Sequence, residues 1–188
     1  MADLNEISKV LDNLLANTNL SETSSEGLSK ELKDGYYLCE CESAELTASK
    51  SSGNPMVSMR FNVVENGLET YIDEYGYEAK REAKGTKGQK IFINYVLLTD
   101  TNVNYFVSDM LKFELPSKPG KPLLADTQEE AKKYFKSTSL LLGALEIIAM
   151  KSRIYIMVQS KERKDDPKTI DKKYNLISWK RAAQLELV

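Results

Sequence analysis

The chain has 188 residues, 41% hydrophobic and 29% charged, enough for one sizeable domain with appendages and a core able to fold alone. It holds no histidine and only two cysteines, which excludes a Ser-His-Asp triad, an H-E-x-x-H zinc helix and a four-cysteine zinc site within one chain. The net charge of −2 divides into −4 over residues 1–34 and +2 over the remainder, so any nucleic-acid site has to be local rather than a product of bulk charge.

No G-x-x-x-x-G-K-[ST] and no strand-linked G-x-G-x-x-G occurs, so nucleotide hydrolysis and dinucleotide binding lose support. Asp73 and Glu74 fall on opposite faces of an expected strand and Asp165-Asp166 in a hairpin tip, poor placements for a Mg²⁺ pair. Neither catalysis nor a cofactor or metal is expected. Asp3 and Glu6 stand where a secretory leader would be basic, and Gly143 and Glu146 interrupt the longest apolar run, Leu140 to Met150. A soluble cytoplasmic protein without a membrane partner is the expectation.

Leu4, Ile7, Val10, Leu11, Leu14 and Leu15 recur at helical spacing, which predicts an amphipathic helix over 1–17. That helix can dock on its own domain, or serve a partner or self-association. The Ser/Thr-rich stretch 18–32 reads as a flexible linker. A domain follows over 33–182. It opens with a β-hairpin whose arms are 35–46 and 56–64, joined by a loop carrying Lys50 and punctuated by Gly53-Asn54-Pro55. Arg60 lies on its second arm. Cys39 and Cys41 are two residues apart on a strand and share a face, as small core residues do in a reducing compartment.

Residues 68–80 read as a strand placing Tyr71, Asp73, Tyr75 and Tyr77 on one face, either a solvent-facing tyrosine ladder or a stacking platform. The next eleven residues, 80–90, hold Lys80, Arg81, Lys84, Lys87 and Lys90 against Glu82. Such a run is commonly a solvated loop. Beside an aromatic strand, it supplies cations for phosphates next to rings for unpaired bases. Ile91 to Leu98 is an expected buried strand. A helical insert is predicted at about 102–142, with one helix from about 102 to 113 and another from Asp126-Thr127 to Leu142, stopped by Gly143. Pro116 to Pro122 should be a stiff basic connector between them. Ala144 onward returns to β structure, with Arg153–Gln159 as a strand, a charged hairpin over 161–173, and Tyr174–Trp179 as the last strand. Trp179, flanked by Lys180 and Arg181, reads as a partly buried anchor or a stacking residue.

Short strands with a helical insert suit a mainly β, α+β domain of the OB type, a small Greek-key barrel carrying an N-terminal amphipathic helix. Gly35-x-Tyr37, Glu45, Ser49-Lys50-x-x-Gly53-Asn54-Pro55-Met56, Phe61-x-Val63 and the later Lys173-Tyr174-Asn175-Leu176-Ile177 resemble segments of phage-encoded single-stranded-DNA-binding proteins. The resemblance covers about 35–65 and 143–180. It implies an OB fold that sequesters single strands during replication or recombination, bound through the strand 2–3 face and basic loops. Lys50 and Arg60 lie within the matched hairpin; the tyrosine strand and the basic run rest on the reading of the residues themselves. Many single-strand binders end in an acidic tail that recruits partners, whereas this chain ends Gln184-Leu185-Glu186-Leu187-Val188. Contacts to replication or recombination proteins, or homo-oligomerisation, are therefore expected from the N-terminal helix.

The expected ligand is single-stranded DNA. Lys50, Arg60, Lys80, Arg81, Lys84, Lys87 and Lys90 are the candidate phosphate contacts, and Tyr71, Tyr75, Tyr77 and Trp179 the candidate stacking residues. The alternative is a phage interaction module, structural or host-inhibiting, that uses the barrel and the N-terminal helix against another protein.

Overall fold

The computed structural model describes residues 32–150, 152–163 and 169–188; the helix expected at 1–17 lies outside them, as does the linker expected at 18–32 except its last residue, Leu32, which is buried in the core and so belongs to the domain. The chain divides between Glu31 and Leu32, one residue from the expected domain start.

Strand β1 (Gly35–Ala48) organises everything else. Gly35, Tyr37, Cys39 and Cys41 are buried while the residues between them are only partly so, the period-2 signature of a strand with one dry face. At Glu42 the period breaks. Cys41 pairs with Phe61 and Ser43 with Arg60, so Glu42 is the extra residue of a β-bulge. Beyond it Ala44 and Leu46, not the odd-numbered residues, face the core.

β1 is long enough to pair along both edges. One edge takes β2 (Pro55–Val63) and then β3 (Gly67–Ile72); the other takes β8 (Arg153–Glu162). β4 (Glu78–Ala83) adds to β3, β5 (Lys90–Val96) to β2, and β9 (Ile170–Ile177) to β8, all antiparallel. Glycine is required where β1 meets β3: a Cβ at Gly67 would stand 2.2 Å from the Tyr37 ring, and one at Gly35 2.2 Å from the Leu68 carbonyl oxygen. The mainly β class is as expected. The sheet, however, is open: among the described residues no ladder joins β5 to β9, and the expected closed barrel does not form.

The inner face carries Tyr37, Cys39, Cys41, Val57, Met59, Phe61, Ile91, Ile154 and Ile156, all at most 2% exposed. Against it pack α1 (Asp100–Met110), through Phe106 and Met110, and α3 (Thr138–Ala149), through Ala144, Leu145 and Ile148. Phe61 stacks on Phe113 with ring centres 6.4 Å apart. Burial raises both thiols, Cys41 to about 12 with the Ser43 carbonyl partly opposing it, and Cys39 further still. Both are unpaired core residues.

Between Met110 and Thr138 the chain departs from expectation. The proline-rich segment is no stiff connector but a small hairpin, β6 (Glu114–Leu115) with β7 (Lys118–Pro122), closed by Gly120 N–H donating to the buried Glu114 carboxylate at 2.9 Å. The second helix is broken in two. α2 (Gln128–Lys132) runs into a 3₁₀ turn at Lys133–Phe135, and α3 starts afresh because Ser137 caps it, accepting from Leu140 N–H. Gly143 sits inside α3 rather than ending it, so residues 144–149 are helix and not the start of a strand. Trp179 likewise does not end a strand; it opens α4 (Trp179–Gln184), capped by Ser178.

Asp34 ties the sheet's centre to its edge. Its carboxylate accepts from Ser160 N–H at 2.8 Å and Ser160 O–H at 2.6 Å, with Lys172 Nζ at 3.4 Å. Partial burial alone would raise its pKa; the Ser160 hydrogen bonds and the Lys172 charge outweigh that and hold it below its ordinary 3.8. A depressed folded-state value stabilises the fold above the unfolded pKa and is lost as pH falls through the folded one. Asp34→Ala should therefore cost about 1 kcal/mol near pH 7. Urea titrations repeated down to pH 3 should show the gap to the parent protein closing below about pH 4.

Candidate nucleic-acid interface

The sheet's outer face is built by the alternate residues of β1, β2 and β5. On β2 these are Ser58, Arg60 and Asn62; on β5, Lys90, Phe92 and Asn94. The register sets them side by side as Ser58 with Asn94, Arg60 with Phe92 and Asn62 with Lys90. Phe92 is 59% exposed although it lies mid-strand between buried Ile91 and Ile93. A phenyl ring so placed forgoes the burial that most rings obtain, and its neighbours are a guanidinium and two amides.

Charge on this face is organised by Glu42. Its carboxylate takes Arg60 Nε at 3.1 Å on one oxygen and Lys90 Nζ on the other, while Lys90 also donates to Asn62 Oδ1 at 3.2 Å. The Lys90 hydrogen bond, then the two positive charges, hold the Glu42 carboxyl below its ordinary value. Arg153 stands 3.6 Å from Glu40 in the neighbouring rung and continues the polar ladder across β1 to β8.

The predicted tyrosine platform is not a single ribbon face. β3 ends at Ile72, and the chain reverses over Asp73–Tyr77, so only Tyr71 is on the strand. The reversal has a local cause: Asp73 Oδ1 accepts from the backbone N–H of both Tyr75 and Tyr77 at 2.9 Å, and Gly76 supplies φ +82°. Tyr75 and Tyr77, 76% and 73% exposed, crown the hairpin tip. Tyr71 has Arg81 over its ring at 4.9 Å, and Arg81 is also bound to Glu69, which Lys33 reaches at 3.3 Å. Glu69 is held below its ordinary value, first by the Arg81 hydrogen bond. Tyr71 is therefore an engaged ring rather than an open platform.

The basic run is dispersed for a similar reason. Lys80 and Arg81 are adjacent on β4 and point to opposite faces; Lys80 lies over the Tyr36 ring at 5.5 Å and donates to the Leu185 carbonyl at 2.8 Å. Lys84 and Lys87 occupy a turn pinned by Asn66, whose Oδ1 accepts from Gly85 N–H at 3.1 Å, and by Gly88 N–H donating to Val63 at 2.7 Å. Lys90 begins β5. Lys50 sits in the 49–54 loop at the other end of β2. Lys50, Lys84 and Lys87 are exposed and form no ion pair among the described residues. Trp179 is an anchor: Nε1 donates to the Arg153 carbonyl at 3.0 Å and the ring meets Tyr155 edge-on at 5.6 Å.

Of the sequence-predicted residues, Arg60 and Lys90 are brought together on one carboxylate, and Tyr71 and Arg81 on another side of the sheet. Tyr75 and Tyr77 crown the same β3–β4 hairpin that carries Tyr71 and Arg81, and are remote from the Arg60–Lys90 pair. From Gly35, where β3 attaches, to Ser43, opposite Arg60, the separation along β1 is on the order of 25 Å. Phe92, Asn62 and Glu42 were missed. The alternation Ile91-Phe92-Ile93-Asn94 carried the signal, since it sets Phe92 on the face of Asn94, but the whole apolar run reads as buried. Among the described residues no cluster of three or more metal-ligating side chains occurs, and no helix is long and apolar enough to cross a membrane. No protein-family model matches the chain, and no curated protein sequence matches it.

Proposed function

We propose that the protein is a non-catalytic, sequence-tolerant single-stranded-DNA-binding protein of the OB type, serving phage replication or recombination. The observation that carries the reading is the exposed Phe92 ring set beside Arg60, Lys90 and Asn62 on an open sheet face. Single strands bind where rings stack unpaired bases and cations track the backbone. The order β9-β8-β1-β2-β5 is that of a five-stranded OB sheet lacking its closing ladder, with β3–β4 inserted after the second strand and the helices before the fourth. In that frame β2 and β5 are strands two and three, whose outer face is the oligonucleotide surface of OB domains, and the Lys50 loop is the connection between strands one and two. Lys84 and Lys87 supply uncommitted charge at the other end of β2.

The test is a fluorescence-anisotropy titration with labelled oligo-dT at several salt concentrations. Binding is expected at low salt, with log affinity falling by about 0.7 per phosphate contacted for each tenfold rise in salt. No binding at low salt, or binding without a salt slope, removes the proposal.

A second reading, a protein-interaction module, is favoured by one observation. A groove of about 200 Å³ between α1 and α3 is lined by Leu97, Val103, Phe106, Val107, Phe135 and Leu141. A pull-down that depends on this groove, with no affinity for oligo-dT, would favour it.

A further inference from the structure

We propose that Arg60, Lys90 and Asn62 form a phosphate site that the protein occupies itself, with the Glu42 carboxylate as the resident anion. The inference deepens the single-strand reading and rests on it for the identity of the ligand, a phosphodiester of the DNA backbone.

Three observations carry it. First, both cations converge on one carboxylate: Arg60 Nε stands 3.1 Å from one Glu42 oxygen and Lys90 Nζ binds the other. A carboxylate held by two cationic donors marks where an oxyanion of similar size and charge fits, because charge-assisted bonds to carboxylate and to phosphate use the same donors. Second, the strand itself sets Glu42 on that face: it follows the buried Cys41 and so points outward, and as the extra residue of the bulge, next to Ser43 that pairs with Arg60, it has no cross-strand partner of its own on β2. Third, the position is open. Arg60 and Lys90 side chains are 49% and 42% exposed, so an incoming phosphate does not need to enter the core.

Exchange then has a simple electrostatic form. Glu42 swings out to water, and a backbone phosphate takes over the Arg60 and Lys90 donors while Phe92 receives the adjacent base. Exposed ion pairs of this kind are weak, which makes the resident anion displaceable. It also lowers affinity, because the phosphate gains two cations only by freeing a carboxylate that then repels it.

The test is Glu42→Gln, which keeps size and shape at an exposed position and removes the charge. In the oligo-dT titration the variant is expected to bind several-fold more tightly than the parent at low salt. The gain should shrink as salt rises, because the repulsion it removes is screened. A second arm needs no DNA: inorganic phosphate added to the ¹⁵N-labelled Glu42→Gln variant should shift the Arg60 Nε signal at lower concentration than in the parent. In the oligo-dT titration, Arg60→Gln on the Glu42→Gln background should abolish the gain in affinity. Where the parent binds oligo-dT, equal or weaker binding by Glu42→Gln overturns the proposal; in every case, so does a phosphate response at Arg60 no stronger than the parent's. If neither protein binds oligo-dT but the phosphate response appears at Arg60, the DNA reading fails while the self-occupied anion site stands.

Discussion

Phe92→Ala should weaken oligo-dT binding by about 1–3 kcal/mol, or roughly 5- to 150-fold, the range measured for removing one stacked base–ring contact. The same substitution should leave thermal stability within about 0.5 kcal/mol of the parent, because a ring that is 59% exposed contributes little to the core. The pair of results is what separates a binding ring from a structural one. A companion variant locates the site: replacing Tyr75 and Tyr77 together by Ala, at the remote hairpin tip, should change affinity far less than Phe92→Ala. Anisotropy titrations of the three proteins at one salt concentration decide the matter. If the double tyrosine variant loses affinity and Phe92→Ala does not, the interface lies on the β3–β4 tip instead of the β2–β5 face.

Phe61→Ala should be the most damaging single substitution in the sheet. Phe61 is fully buried, pairs across to Cys41 on one side and Ile91 on the other, and stacks on Phe113 beneath α1. Truncating a buried phenylalanine costs about 3–5 kcal/mol, the transfer term plus the cavity left behind. For a chain of this size that lowers Tm by roughly 6–20 °C. Urea unfolding followed by tryptophan fluorescence measures it, since Trp179 packs on Tyr155 of the same sheet. Phe61→Leu, which refills much of the volume, should recover a good part of the loss. A cost under 1 kcal/mol for Phe61→Ala would mean that β2 is not a central strand.

Phe61 and Phe92 make the same point about patterning. They belong to neighbouring strands, yet one is wholly buried and the other largely exposed, because the pleat sends alternate residues to opposite faces. The alternation in β2 was plain in the sequence, where Val57, Met59 and Phe61 interleave with Ser58, Arg60 and Asn62. In β5 it was masked by apolar residues on both faces.

Features under local chemical control are legible along the chain. The β1–β2 hairpin follows from alternation bounded by Gly53-Asn54-Pro55, the start of α1 from the Thr99 cap, and the burial of Cys39 and Cys41 from their spacing. The carboxylate of Asp73 was legible too, but its capture of two backbone N–H groups, which turns a thirteen-residue strand into a hairpin, depends on a competition between side-chain and ladder hydrogen bonds that periodicity does not weigh. Which cations are committed and which are free depends on contacts between distant parts of the chain. Lys80, Arg81 and Lys90 lie within eleven residues of one another in the chain, yet they end on a C-terminal carbonyl, a buried-side glutamate and the bulge carboxylate. Their partners come from β1, β3 and the C-terminus, and pairing across strands is fixed by register, a long-range property that a local run of residues does not encode.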